Sequence, residues 1–273
     1  MLVGCGSTSP ISRRVETGLF VVTTQAALDS LDGVVTIDGT LDLERPASGR
    51  PSSIKDLHAL RNLVNIAESF GIDDVDSLES LEPLRSLRRV GHDFFIGHND
   101  GLRTLSPLAG LQMVGVALFI QDNDRLKSLD GLQWISTLTA TDLQIVRNDS
   151  LLTLSGLDNF TAQDIGPRGA PPLLDISENA SLRSLAGLDS LLRAGTLTIA
   201  ENPALTNITA LCRLREIADL FIFNNTSLCR SDIEASLDSA NVSGRMEIDG
   251  NGECDSHRRS SERLQRPGLP ARR

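Results

Sequence analysis

Four cysteines and four histidines are the residues of this chain best suited to redox, metal or covalent chemistry. The histidines form no HExxH motif and no set with cysteine at zinc spacing, so we expect neither a metal site nor a cofactor. A GxSxG element, a phosphate-binding glycine loop and a dinucleotide fingerprint are also missing from the sequence. These residue types therefore favour a protein without an active site of a common class.

Cys5 ends a short segment, Leu2 to Cys5, that matches a bacterial lipobox, in which a small residue precedes the cysteine that becomes lipidated. The basic and apolar residues that normally stand before a lipobox are not part of this sequence. The match is therefore either the end of a longer signal peptide or accidental. We expect residues 1–17 to be a lipobox-like segment and linker, with Cys5 as a lipid anchor to the membrane.

Cys229 and Cys254 flank a helix-like segment at residues 233–237. A disulfide between them would add about 3 kcal/mol of stability and would require an oxidising compartment. Cys212 is then left over. We expect it to be a buried free thiol, and a Cys212–Cys229 bond is the alternative.

Most of the chain consists of one repeated unit, L-x-I-x-x-N-x-x-L-x-x-L-x-x-L-x-x-L. Each unit begins with two apolar residues two positions apart, which predicts a short strand with one buried face. The leucines that follow are three residues apart, a spacing that suits tight turns and would drift around an α-helix. The strand centres are Leu43, Ile72, Ile96, Ile120, Ile145, Ile176, Ile199, Ile222 and Ile248, and Met246 is one of the apolar residues two positions before them.

A single unit cannot bury its apolar edge, whereas stacked units bury one continuous aliphatic column. The repeat therefore predicts a β-solenoid over residues 18–254, with about nine coils and one parallel sheet face. We expect a strand at residues 19–22 and a short helix at residues 24–31 to cap the first coil. The six arginines and few apolar residues of 255–273 predict a basic, disordered tail.

Seven units carry an asparagine three positions after the strand centre. We expect these amides to point inward and to bond backbone groups at the turn, which would otherwise be buried unpaired at about 1 to 3 kcal/mol each. Glycosylation is the alternative, because three of them lie in N-x-S/T sequences. An inward amide could not accept a glycan. This ladder consists of Asn99, Asn123, Asn148, Asn179, Asn202, Asn225 and Asn251.

The residues beside each strand centre should form a flat outward face suited to binding. Phe95 and Phe119 should lie side by side one coil apart, and Phe221 and Phe223 should form a second exposed pair. Large exposed apolar groups often mark partner contacts, unless an insertion or the tail covers them. The predicted binding face comprises Phe95, Phe119, Gln121, Gln144, Phe221 and Phe223.

Charge and composition narrow the choice of partner. A net charge of −10 argues against nucleic acid, because phosphate binding needs clustered Lys and Arg. Since the chain has no Tyr and one Trp, stacking platforms for sugars are scarce, and this favours a protein partner. Enzymes of the parallel β-helix type that cleave polysaccharides need paired acids on neighbouring coils. No such pair lies beside the strand centres, so we expect no catalytic residue.

Residues 24–31 and 37–43, together with the repeated Gly-Leu and Leu-Ser/Thr-x-Leu elements, resemble the receptor L-domain-like superfamily. This superfamily includes leucine-rich lobes of receptor ectodomains and bacterial surface lipoproteins of the myxobacterial type. The resemblance covers about residues 18–254 and implies a leucine-rich-repeat-like, right-handed β-helix. Residues 225–229 and 250–254 resemble the cysteine-linked C-terminal cap of the bacterial members.

The resemblance implies a non-catalytic, extracytoplasmic scaffold for binding or adhesion, and no functional residue carries over from the family. We expect a lipid-anchored protein at the outer membrane or cell surface that binds a protein or another cell-surface ligand. A polysaccharide-active β-helix enzyme and a purely structural envelope protein are the alternatives.

Overall fold

The computed structural model describes residues 14–135, 137–138, 142–160 and 172–254. Within these residues the chain forms one parallel β-sheet of 15 strands and two short α-helices. Cys5, the greater part of the predicted linker and the predicted tail at residues 255–273 lie outside the described residues.

The strands become shorter after the first two. The chain begins with β1 (Arg14–Val22), α1 (Gln25–Asp29) and β2 (Val34–Leu43). Pairs of short strands follow: β3 (Asn65–Ile66), β4 (Phe70–Asp73), β5 (Arg89–Val90), β6 (Phe94–Gly97), β7 (Met113–Val114), β8 (Ala117–Gln121), β9 (Thr137–Leu138) and β10 (Asp142–Val146). The last part comprises β11 (Leu173–Ser177), β12 (Arg193–Ala200), β13 (Glu216–Phe223), α2 (Arg230–Ser236), β14 (Asn241–Val242) and β15 (Met246–Asp249).

Neighbouring strands pair in the register of the sequence repeat. The central residues are Cα partners from strand to strand, as in the pairs Ile72 with Ile96 and Ile199 with Ile222. The strand order is β14-β13-β12-β11-β10-β8-β6-β4-β2-β3-β5-β7-β9, with β1 added beside β2 and β15 beside β13. The predicted parallel sheet is therefore present, and it does not close on itself.

The core is a single aliphatic cluster that runs along the sheet. The leucines spaced by three are fully buried, for example Leu105, Leu108 and Leu111. Their backbones form turns in which an N–H donates to the carbonyl three residues earlier, as from Leu108 to Leu105 at 2.8 Å. Among the described residues, four of these turns are 3₁₀ helices: His58–Leu60, Glu82–Ser86, Ser106–Gly110 and Thr209–Arg213. The period of three thus reflects 3₁₀-type turns, each of which directs one side chain inward.

The asparagine ladder lies against the ends of the main strands. Its members are fully buried apart from Asn251, which is partly buried. The amide of Asn179 donates to the carbonyl of Ile145 at 2.8 Å, and its side-chain oxygen accepts the backbone N–H of Asn148 at 3.1 Å. The other members make equivalent bonds, as from Asn202 to the carbonyl of Ile176. The ladder therefore satisfies backbone groups that the turn would otherwise leave buried and unpaired.

At the N-terminal end, the first strand is longer and the first helix is shorter than predicted. Strand β1 begins at Arg14, four residues inside the segment predicted to be a linker, and pairs with β2 along its whole length. Helix α1 is shorter than expected. Its N-cap is Thr24, whose hydroxyl accepts the backbone N–H of Ala27 at 3.2 Å.

The C-terminal end contains the disulfide between Cys229 and Cys254, with α2 inside the closed loop. Cys212 is free, as expected, but the prediction of a buried thiol is wrong because its side chain is exposed. Leu211 and Leu214 occupy the inward positions of that turn, so the position of Cys212 between them lies at the surface. Met246 was expected to be buried and is 59% exposed, because it lies on β15, which pairs only with β13 among the described strands.

Candidate functional site

The outward face of the sheet is formed by alternate residues of β4, β6, β8 and β10 to β13. The structure places all six predicted binding residues on this face, each with a partly exposed side chain. They fall into two groups. Phe95, Phe119, Gln121 and Gln144 lie on β6, β8 and β10, whereas Phe221 and Phe223 lie on β13.

Phe95 and Phe119 are Cα partners on adjacent strands, and their ring centroids are 6.3 Å apart at an angle of 51°. Gly97 makes room for this arrangement, because a Cβ there would collide with the ring of Phe95. The two rings thus form a small, tilted aromatic patch. Beside it, the amide of Gln121 donates to the side-chain oxygen of Gln144 at 2.9 Å.

An open depression of about 340 Å³ separates the two groups. Its floor consists of the small residues Val146, Ser177 and Ala200, which are buried beneath the larger side chains around them. Phe223 stands at one side of the depression and Gln121 at the other. The lining residues are Gln121, Gln144, Val146, Arg147, Asp175, Ser177, Glu178, Thr198, Ala200, Glu201 and Phe223.

Sequence reasoning did not identify this depression, because small side chains such as Ser177 and Ala200 carry no chemical signature of their own. The signal in the sequence that could have predicted the depression is a decrease in the size of the outward side chains between neighbouring strands. The outward residues are large on β8, small on β11 and β12, and large again on β13. Because neighbouring strands are in register, such a change in size becomes a hollow in the face.

A row of residues in the left-handed backbone conformation lies two positions after the strand centres from Ile72 to Ile222, and three of them line the depression. All have φ between 51° and 59°, a region that favours glycine, asparagine or aspartate. We call them the corner row: Asp74, His98, Asp122, Arg147, Glu178, Glu201 and Asn224. Most of these side chains are ionisable. Holding such residues in this conformation costs on the order of 1 kcal/mol or more each, and its recurrence at the same position of each unit shows that the turn of the repeat imposes it.

Alternating charges connect the corner row across neighbouring strands. Arg147 donates two hydrogen bonds to Asp122, at 2.6 and 2.8 Å, and lies 3.6 Å from Glu178. On the other side of Asp122, His98 bonds Asp73 at 2.8 Å. The hydrogen bonds from Arg147 hold the pKa of Asp122 below its ordinary value, and the charges of Arg147 and His98 add to this effect.

The pKa shift of Asp122 predicts a pH-dependent contribution to stability. A carboxyl with a lowered folded-state pKa stabilises the protein above its unfolded value, about 3.9, and this stabilisation is lost as pH falls through the folded-state pKa. Asp122→Asn should therefore cost about 1 kcal/mol near neutral pH, and this cost should decrease as the pH is lowered to about 2.5. Asparagine tolerates positive φ, so the backbone is not the cause. Urea unfolding at the two pH values measures the difference.

Asp124 provides a control, because its pKa is shifted in the opposite direction from that of Asp122. Burial raises its pKa, and the carboxylates of Asp100, Asp149 and Asp122 raise it further. A carboxyl of this kind destabilises the folded protein once it ionises, so Asp124→Asn should be neutral or stabilising near pH 7. Equal losses for both variants at both pH values would contradict the assignment of these charges.

Two further carboxylates on the outward face were missed because they lie three positions before the strand centres. Asp142 is the Cα partner of Ala117, and Asp93 lies on the far side of that alanine. Burial raises the pKa of Asp142, and the charge of Asp93 adds to the shift. One oxygen of Asp93, Oδ1, is buried and has no hydrogen-bond partner among the described residues. The two acids therefore face each other across one strand, next to the aromatic patch.

Neither the described residues nor comparisons with known proteins assign a metal site, a membrane-spanning helix or a family to the chain. Among the described residues no group of three or more His, Cys, Asp or Glu side chains is placed to hold a metal ion. No helix in that part of the chain is both long and apolar enough to cross a membrane. No protein-family model matches the chain, and no curated protein matches it significantly.

Proposed function

We propose that this chain is a non-catalytic binding scaffold whose partner docks on the outward face of the sheet. The observation that carries the proposal is the depression between β8 and β13, flanked by the aromatic patch on one side and by Phe221 and Phe223 on the other. Parallel strands in register present these groups on one continuous surface.

The charges around the depression favour a protein partner with a basic surface. Asp175, Glu178 and Glu201 line it, and Arg147, the single cation among its described lining residues, is bonded to Asp122. A lysine or arginine side chain could place its aliphatic stem over Ala200 and its charge beside the carboxylates. The flanking phenylalanines would supply the apolar contacts that dominate interface energetics.

We further propose that the repeat forms a right-handed solenoid of the receptor L-domain-like type. The in-register parallel strands, the inward asparagines and the 3₁₀ turns support this assignment. The disulfide is compatible with an extracytoplasmic location. Anchoring through a lipid on Cys5 at the cell envelope is part of the same proposal. Incorporation of a palmitate analogue into the protein expressed together with its upstream coding sequence, but not into the Cys5→Ser variant of that protein, tests it.

The aromatic patch gives a direct mutational test. Phe95→Ser combined with Phe119→Ser should reduce capture of partner from an envelope fraction by at least about tenfold, because the apolar contact area is lost. The melting temperature should change little, since both rings are partly exposed. Capture by the immobilised protein and thermal unfolding of each variant are the two measurements.

Leu152→Ser combined with Leu192→Ser is the matched control. These leucines are 44% and 43% exposed and lie outside the strands of the outward face. The control pair should bind as the unmodified protein does. Equal loss of capture in both double variants, or a large loss of stability in the phenylalanine variant, would overturn the assignment of the face.

A polysaccharide-active enzyme is the second candidate, and the Asp93 and Asp142 pair favours it. A carboxyl with a raised pKa beside a second carboxylate is the arrangement that glycoside hydrolysis uses. The binding proposal predicts no turnover when the purified protein is incubated with a panel of polysaccharides. Turnover that is lost in Asp142→Asn would replace the binding proposal with the enzymatic one.

A further inference from the structure

The only tryptophan of the chain, Trp134, lies beside a second depression that the outward face does not include. Its side chain is 61% exposed. The depression measures about 460 Å³ and is lined by Arg88, Ala109, Gly110, Gln112 and Trp134. This volume falls within the range of about 300 to 1,000 Å³ that is common for small-ligand sites.

The repeat brings these residues together. Arg88 and Gln112 are neighbours in adjacent units, because the backbone N–H of Gln112 donates to the carbonyl of Arg88 at 2.9 Å. Gly110 lies between Arg88 and Trp134, at the end of the 3₁₀ helix Ser106–Gly110. A Cβ at Gly110 would collide with the guanidinium of Arg88. Gly110 thus allows Arg88 to extend across the floor of the depression.

Arg88 brings a positive charge that no carboxylate among the described residues neutralises. Its Nη1 donates to the carbonyls of Arg85 and Leu87, at 2.9 and 3.0 Å. Arg85 is paired with Glu82 at 3.1 Å, whereas neither Arg88 nor Arg89 has a carboxylate within ion-pair distance in the described part of the chain. A protein of net charge −10 therefore has a locally basic site beside an exposed indole.

We infer that this depression binds an acidic sugar residue, such as a uronic acid unit of a polysaccharide. The C–H face of a sugar ring packs on the exposed face of an indole. A carboxylate on the sugar would accept hydrogen bonds from the free edge of the Arg88 guanidinium, and the amide of Gln112 could bond a ring hydroxyl.

A second protein fits this site less well. Stable protein interfaces bury about 800 Å² on each partner around a core of apolar residues. Among the described lining residues, a single aromatic ring is surrounded by glycine, alanine and polar side chains. The combination of one stacking surface with a guanidinium that is bonded only through Nη1 to backbone carbonyls suits a single charged sugar better than a broad apolar contact.

Intrinsic fluorescence tests the inference directly, because Trp134 is the only tryptophan and the chain has no tyrosine. A trimer of galacturonic acid should change the emission of the full chain in a saturable way. A neutral trimer of glucose should bind at least about tenfold more weakly, because it cannot form the charge-assisted hydrogen bonds. Arg88→Gln should weaken binding of the acidic trimer by about tenfold or more.

Arg103→Gln is the matched control, since Arg103 is also exposed and its replacement removes the same charge outside the depression. The emission of this variant should respond as that of the unmodified protein does. Trp134→Ala, measured by calorimetry since it has no tryptophan emission, should lose binding without a change in melting temperature.

Three results would overturn the inference. They are the absence of a saturable response to the acidic trimer, equal affinity for the neutral trimer, and unchanged affinity in Arg88→Gln. If the emission of Trp134 changed only when a protein bound and with neither trimer, the depression would be a protein interface and not a sugar site. The Phe95→Ser and Phe119→Ser variant should still bind the acidic trimer, so this result does not depend on the function proposed for the outward face.

Discussion

Asn179→Ala should lower the free energy of unfolding by about 3 to 4 kcal/mol, measured by chemical denaturation. The substitution removes the donor to the carbonyl of Ile145 and the acceptor for the backbone N–H of Asn148. Asn179 is fully buried, so water cannot replace either partner without opening the structure. An unpaired buried group costs about 1 to 3 kcal/mol, and this change leaves two.

Asn241→Ala provides the comparison, because Asn241 is exposed on β14 and does not belong to the ladder. This variant should change the free energy of unfolding by less than about 0.5 kcal/mol. A loss below about 1 kcal/mol for Asn179→Ala would show that the ladder is not a main source of stability.

Removal of the disulfide should have the second large effect. Cys229→Ser combined with Cys254→Ser should destabilise the protein by about 3 kcal/mol, because the unfolded chain regains the freedom that the closed loop removes. The effect should concentrate at the C-terminal end, where α2 and β15 lie within the loop. Denaturant unfolding gives the magnitude, and amide hydrogen exchange shows where protection is lost.

Cys212→Ser controls for the loss of a thiol, since Cys212 is free and exposed. Its unfolding midpoint should match that of the unmodified protein in both oxidising and reducing buffer. If the double cysteine variant had the same midpoint as well, the disulfide would contribute nothing to the fold and the oxidising-compartment argument would lose its support.

The sequence predicted the sheet because the inward positions obey a simple rule. Every strand centre from Leu43 to Ile248 is apolar, and a parallel register that aligns these residues buries nearly all of them at once. The ladder was predictable for a related reason. A polar residue that recurs at one position of an otherwise apolar repeat must satisfy a recurring backbone group.

The outward side was predicted less completely because no single rule governs it. Phe95 and Phe119 could be paired from their spacing alone. The depression above Ser177 and Ala200 could not be predicted from spacing, because it arises where the outward side chains are small. The positive φ of Arg147 and Glu201 is likewise set by the turn, and side chains of these types do not indicate it.

The failures at the ends have a local cause. The apolar neighbours of Cys212 predict a buried thiol, yet a shift of one position in a turn of period three moves a side chain from the core to the surface. Met246 follows the repeat pattern on the outermost unit, where the pattern no longer guarantees a neighbour that would cover it.

Site-directed photocrosslinking in the source cells tests the binding face most directly. A photoreactive amino acid would replace Thr198, which lines the depression, or Lys127, which is exposed outside the sheet strands. We expect one discrete protein adduct from position 198 and none from position 127, and we expect the adduct at 198 to be lost when Phe95 and Phe119 are serine. Adducts of equal yield at both positions, or an adduct at position 127 alone, would contradict it.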